Sequence, residues 1–185
     1  DKHPKALAIV NGKSLLQRNI EYLQSFEIKD IVVNVHHFPN QIEKAIEKNN
    51  GWGSNIIISD ESNEVLETGG GLLKAKDLFT PGEKFITCNV DILTNLDISK
   101  LINFHSANKA LISFAVTNRK TSRYLLFDEN NRLCGWRNTK TGEEKGPHLT
   151  SPEGRGTTSL IEKAYSCVVV FEYDIFRLME ENNFS

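Results

Sequence analysis

The sequence predicts an α/β fold: a mostly parallel, mixed sheet with helices on both faces. Three observations predict it. Helical and strand-like segments alternate through the first half of the chain, as crossover helices between parallel strands do. The strand-like segments are short apolar runs rich in Val and Ile, the pattern of strands buried on both faces. Farther along, Asn130-Asn131 separates two strand-like runs and marks a hairpin, so an antiparallel edge joins the sheet.

Each element follows from its residues. Ser14 to Phe26 carries Leu15, Leu16, Ile20 and Leu23 at helical spacing. Ile31-Val32-Val33-Asn34-Val35 is a β-branched strand. Pro39 suits the first position of a helix that carries Ile42, Ala45 and Ile46. Asn49 to Ser54 is turn-rich, and Asn55 to Ser59 is the next strand. Gly69-Gly70-Gly71 precedes a helix over about Leu72 to Leu78, and Pro81-Gly82 turns the chain into the strand Phe85-Ile86-Thr87-Cys88. Ile98 to Ser106 is helical. Ala110 to Thr117, Tyr124 to Phe127 and Leu133 to Trp136 are strands. Thr139 to Thr158 is polar with Gly and Pro, a mobile loop. Tyr165 to Phe171 is a buried strand, and a helix begins at Ile175.

Bulk properties narrow the function. The 185 residues suit one domain, 1–185, with a single core. A net charge of −2 carries no footprint for general nucleic-acid binding. No apolar run has the length of a membrane span, and no signal peptide is visible, so a cytoplasmic protein is expected. Cys88, Cys134 and Cys167 are odd in number and widely spaced, which favours buried reduced thiols over a disulfide or zinc set. The first long strand, at Ile31, comes only after a helix, and the chain stops a turn or two into another at Asn182-Asn183-Phe184-Ser185. The expectation is therefore a domain incomplete at both ends, lacking its first strand and its C-terminal end.

Two features carry chemistry. Leu66-Glu67-Thr68-Gly69-Gly70-Gly71 is a glycine-rich turn at a helix start, where backbone N–H groups and the helix dipole favour phosphate or polar ligand atoms. Asp91 follows the strand at Phe85, and in open α/β sheets ligands bind outside the carboxyl ends of the strands. A hard carboxylate there suits Mg²⁺ and a polyphosphate. An aspartate can also merely cap the next segment, and a glycine turn can merely start a helix; three successive glycines exceed what such a turn requires. His36 and His37 follow a strand without a metal-ligand pattern around them.

Four blocks in order complete the picture: Pro4-Lys5-Ala6-Leu7 with Val10-Asn11-Gly12-Lys13-Ser14-Leu15-Leu16, the Val32 strand with Asn34 and His36, Glu67-Thr68-Gly69-Gly70-Gly71, and Asn89-Val90-Asp91. Together they resemble the sugar-1-phosphate nucleotidyltransferase family over nearly the whole chain. The Glu-Thr-Gly-Gly-Gly form is similar to its N-acetylmuramate-1-phosphate uridylyltransferase and mannose-1-phosphate guanylyltransferase-like branches. The resemblance implies the Rossmann-like nucleotidyltransferase fold and a transferase of nucleotide-sugar synthesis, linked to the cell wall in the first branch. It implies NTP and sugar-1-phosphate as partners and Mg²⁺ as cofactor. Lys5 and Asp91 are then catalytic, with Asp91 the metal ligand. Thr68, Gly69 and Gly70 bind the nucleotide, with Glu67 either fixing the base or ribose or standing as an ordinary surface carboxylate, and Asn138 lies where relatives contact the sugar. Arg123, in the basic cluster Arg119, Lys120 and Arg123, either binds the sugar phosphate or belongs to a solvated loop. UTP is the leaning, with GTP beside it.

The chain also departs from the family. The G-x-G-T-R loop and a second metal-binding aspartate are absent from this sequence, so this chain alone is expected to be inactive or nearly so. Val90 and Cys167 stand where many relatives have glycine. Two other readings stay open at this point: a non-catalytic nucleotide- or sugar-binding regulatory domain of the same fold, and a choline- or glycerol-phosphate cytidylyltransferase. The oligomeric state is not legible in the sequence.

Overall fold

The computed structural model describes residues 3–62, 66, 68–146 and 160–179. The chain forms two compact units, Asp1–Ser113 with Val169–Ser185, and Phe114–Val168.

In the first unit, a 3₁₀ turn at Lys5–Leu7 leads to a small hairpin of β1 (Ile9–Val10) and β2 (Lys13–Ser14). Asn11 and Gly12 both take positive φ, 47° and 79°, which matches the right-handed twist of the two arms. Arg18 Nε donates to Val10 O at 2.8 Å and so fastens the hairpin to the helix that follows. That helix, α1 (Leu15–Gln24), starts where Ser14 Oγ accepts from Gln17 N at 3.1 Å. It buries Leu16, Ile20 and Leu23 on one face.

β3 (Asp30–Val35) and β4 (Asn55–Asp60) pair in parallel, from Asp30↔Asn55 to Val35↔Asp60. α2 (Pro39–Lys48) crosses between them, with proline in its first turn. Ala6, Leu16, Ile20, Val35 and Ile42 form one buried cluster, against which Ile31, Val33, Ile56, Ile58 and Val90 pack. Alternate residues of both strands therefore face the same core.

α3 (Thr68–Lys74) starts on the glycines themselves, earlier than their low helix propensity suggests. A 3₁₀ turn at Lys76–Leu78 ends that stretch before β5 (Phe85–Cys88). Phe85 stacks on Phe79, Phe171 and Phe176, with ring centroids 4.3, 5.3 and 5.4 Å apart, and this makes the second cluster. α4 (Ile98–Ala107) is capped by Asp97, whose Oδ1 accepts from Lys100 N at 3.2 Å.

β6 (Ile112–Thr117) leads into the second unit. There β7 (Arg123–Phe127), β8 (Leu133–Asn138) and β9 (Glu143–Lys145) form an antiparallel meander. Asp128 Oδ1 accepts from Asn130 N and Arg132 N at 2.9 and 2.8 Å and shapes the predicted hairpin turn. β10 (Ile161–Phe171) pairs antiparallel with β7 and returns the chain to the first unit. β5 and β6 also pair with β10.

The fold class is α/β with mixed pairing, as the sequence predicts. The expected mostly parallel sheet is replaced among the described residues by three sheets: antiparallel β1–β2, parallel β3–β4, and a six-stranded sheet in which β10–β7, β7–β8 and β8–β9 are antiparallel. The other differences are local. β9 interrupts the polar stretch read as a loop, whose part 147–159 lies outside the described residues. β10 starts before Tyr165. The helix expected at Ile175 is a 3₁₀ turn, Tyr173–Arg177.

Candidate active site

The C-terminal ends of β3 and β4 gather the most unusual side chain of the first unit. Glu61, one residue past β4, is only 3% exposed. Its backbone is fixed on both sides: Glu61 N donates to Val35 O at 2.7 Å, and His36 Nδ1 lies 2.8 Å from Glu61 O. Its Oε1 has no hydrogen-bond partner among the described residues. A buried carboxylate oxygen without a donor is costly, so a site that holds one is suited to a ligand that brings a donor.

The glycine turn sits against this carboxylate. A Cβ on Gly71 would overlap Glu61 Oε1 and lie 2.7 Å from Asn34 Nδ2. The third glycine thus makes room for two polar side chains. Thr68, Gly69 and Gly70 form the first turn of α3, with Leu72 and Leu73 packed on the Phe85 cluster. Glu67 lies outside the described residues. Next to Glu61, Asp60 is exposed, and the Ser62 N–H, 2.7 Å from its Oδ1, holds its carboxyl below the usual range.

Asp91 is exposed in the turn after β5, where Ile92 N donates to Asn89 O at 3.1 Å. Asn19 of α1 donates through Nδ2 to Val90 O at 2.8 Å and to Leu15 O at 2.9 Å, tying that turn to the helix. Lys5 is exposed at the head of its 3₁₀ turn, with Pro4 buried before it. Ala6 and Val90 belong to one apolar cluster, so the turns that carry Lys5 and Asp91 rest on a shared core.

Among the described residues, no group of three His, Cys, Asp or Glu could hold a metal by itself. Mg²⁺ takes one or two carboxylates and completes its shell with substrate phosphates and water, and the exposed Asp91 carboxylate is a ligand of that type.

In the second unit, Arg123 and Asn138 are cross-strand partners of β7 and β8. Arg123 is exposed; Asn138 is half-buried, and its Oδ1 accepts from Lys140 N at 3.0 Å. Arg119 NH2 donates to Tyr165 O at 3.1 Å. Cys167 takes φ 56° in β10, a conformation in which glycine carries no Cβ penalty.

Sequence reasoning missed Glu61. It stands in the polar run Ser59 to Glu64, which reads as surface, yet in the fold it lies against Gly71. The faint signal was the third glycine, one more than a helix start needs.

Residues 1–130 match the family model described as nucleotidyl transferase. Over 90 residues the chain is 38% identical to N-acetylmuramate alpha-1-phosphate uridylyltransferase of Caulobacter vibrioides, covering 48% of this chain and 37% of that protein. A mannose-1-phosphate guanyltransferase of Yarrowia lipolytica is 28% identical over 116 residues, covering 62% of this chain and 32% of that one. The chain thus spans about a third of the length of these curated relatives. Among solved structures, HddC from Yersinia pseudotuberculosis shares the fold, with a TM-score of 0.78 and 21% identity over 100% of this chain and 74% of that one. HddC complexed with GMP-PN gives 0.74 and 22%, over 99% of this chain and 72% of that one.

Proposed function

The chain belongs to the nucleotidyl transferase family, and on that premise we propose that it carries the nucleotide end of a sugar-1-phosphate nucleotidyltransferase. A phosphate oxygen of the sugar-1-phosphate attacks the α-phosphorus of an NTP. The bond from that phosphorus to the bridging oxygen breaks, and pyrophosphate leaves with the electron pair. The product is a nucleotide sugar. Such a reaction asks for alignment and charge neutralisation more than covalent catalysis.

The observation that carries this reading is the buried Glu61 carboxylate, with its unpartnered Oε1 against the glycine turn. Uracil and guanine each present a ring N–H that such an oxygen can accept. Gly69 and Gly70 let a nucleoside approach the backbone closely, beside Thr68 and Glu67. Lys5 offers a mobile positive charge to the phosphates. Asp91 would hold Mg²⁺, which when bound neutralises phosphate charge and polarises the α-phosphate. Arg123 and Asn138, side by side on β7 and β8, are the acceptor contacts. The names of the relatives support UTP or GTP as donor, and N-acetylmuramate-1-phosphate or mannose-1-phosphate as acceptor. The cytoplasm, which holds the NTPs, is the setting.

The test is pyrophosphate release by the full-length gene product, with Mg²⁺, four NTPs and a panel of sugar-1-phosphates. One donor–acceptor pair should support turnover, and Asp91→Asn should lower kcat/KM by roughly a hundredfold or more. Silence across the panel would overturn the reading. Undiminished turnover by Asp91→Asn would remove Asp91 from the metal role.

A further inference from the structure

His105, in the last turn of α4, is completely buried, yet both of its ring nitrogens are engaged. Nδ1 lies 2.9 Å from Ser113 Oγ, and Nε2 lies 3.1 Å from Glu172 Oε1. A carboxylate only accepts, so Nε2 carries a proton toward Glu172, and in the neutral ring Nδ1 accepts from the Ser113 hydroxyl. Ser113 is the last residue of the first unit before the chain leaves it, and Glu172 follows three residues after the return at Val169. Two backbone bonds brace the same place: Glu172 N donates to Leu111 O at 3.0 Å, and Ala110 N donates to His105 O at 3.2 Å.

We infer that His105 is a positioning residue that pins the outgoing and returning strands, β6 and β10, to α4. A phenylalanine would fill a ring-sized space without the desolvation cost of a buried imidazole. What the imidazole adds is one directed bond to Ser113 in β6 and one to Glu172, the residue that follows β10. Register matters here, because a slip of one residue moves a strand's whole set of side chains to its other face. His105 is completely buried and Ser113 is only 6% exposed, so the ring offers no face to a substrate, and the trio is read as holding structure.

The experiment is residue-resolved hydrogen exchange on the full-length protein, comparing His105→Phe, Glu172→Leu and Glu172→Gln with the parent. The pin predicts exchange about ten- to a hundredfold faster in 111–117 and 168–172 for the first two variants, with 15–24 and 30–35 unchanged. Glu172→Gln, whose amide oxygen still accepts from Nε2, should restore protection. A packing role alone predicts parent-like exchange in His105→Phe and the same behaviour in both Glu172 variants, and either result overturns the inference. Should His105→Phe not fold, the contrast between the Leu and Gln variants decides. On the reading above, with Arg123 and Asn138 as acceptor contacts, the sugar-phosphate KM should rise severalfold in Glu172→Leu while nucleotide affinity stays within about twofold. The exchange result stands whether or not that reading holds.

Discussion

Gly71 in the first unit and Gly146 in the second both stand where a Cβ would collide, but with different neighbours. Beside Gly71 the obstacles are side chains, Glu61 Oε1 and Asn34 Nδ2; beside Gly146 they are backbone, with Cys134 O closer still and Gly135 Cα at 2.5 Å. One glycine leaves space for polar groups that can serve a ligand. The other lets two stretches of main chain approach at the start of β8 and the end of β9. The difference follows the architecture. Parallel strands under helices put their chemistry at the strand ends. An antiparallel meander is held by its ladder and by cross-strand pairs, so its tight spots are structural.

The comparison predicts opposite outcomes for one kind of substitution. Gly146→Ala should cost about 3 kcal/mol of stability, because main chain cannot yield to a methyl group, and should leave nucleotide affinity unchanged. Chemical denaturation beside nucleotide titration checks this; affinity falling in step with stability would break the comparison. Gly71→Ala should cost only about 1–2 kcal/mol, since a carboxylate can rotate away, but should weaken nucleotide binding roughly tenfold by displacing Glu61. Adding Glu61→Ala should return most of the lost stability and none of the affinity, a coupling expected of neighbours.

Alkaline titration sharpens the comparison with a property the two units share. Burial pushes Tyr22 in the first unit and Tyr165 in the second up to about 12. A phenol whose folded value lies above its unfolded value near 10 contributes stability fully below pH 10 and loses it as pH rises toward 12. Stability should therefore fall across that window. Tyr22→Phe, which also deletes the 2.6 Å bond to Leu96 O, should make the fall shallower. An unchanged slope would remove Tyr22 from the account. The smallest effect belongs to Arg137, whose NH1 donates to Glu162 at 2.5 Å and whose Nε donates to Glu144. These groups are about a third exposed, so Arg137→Met should cost under about 1 kcal/mol, and less in high salt.

The contrast also explains what was legible in the sequence. Ile31–Val35, Asn55–Ser59 and Phe85–Cys88 were readable as strands because β-branched and aromatic residues dominate them. Burial on both faces, which their apolar runs suggest, is not what β4 shows, since Ile57 is 49% exposed while Ile56 and Ile58 face the core. Asp91 and the glycine turn stood out because ligands bind beyond the carboxyl ends of strands in open α/β sheets and because three successive glycines exceed what a helix start requires. The β1–β2 hairpin is only two residues per arm, too short for any periodicity; the Asn11-Gly12 turn was its sole trace. Thr68 to Gly71 was not read as helix because glycine disfavours it, and the reason residue 71 lacks a side chain lies 10 residues back, in the space Glu61 takes. His105 shows the same limit: nothing in the α4 sequence distinguishes a buried imidazole from an exposed one. Its partners at Ser113 and Glu172 come from distant segments.

The bond from Glu172 N to Leu111 O sets the point where the chain departs beside the point where it comes back. A segment whose two ends are neighbours can be excised and replaced without stretching what remains. Residues 114–168 therefore form a natural cassette. Shortening it to a tight turn, or grafting the equivalent stretch of a relative with another acceptor, would leave the Glu61 carboxylate and the Asp91 turn in their own unit. If Arg123 and Asn138 meet the acceptor as proposed, acceptor choice and nucleotide handling could diversify on separate stretches of one gene.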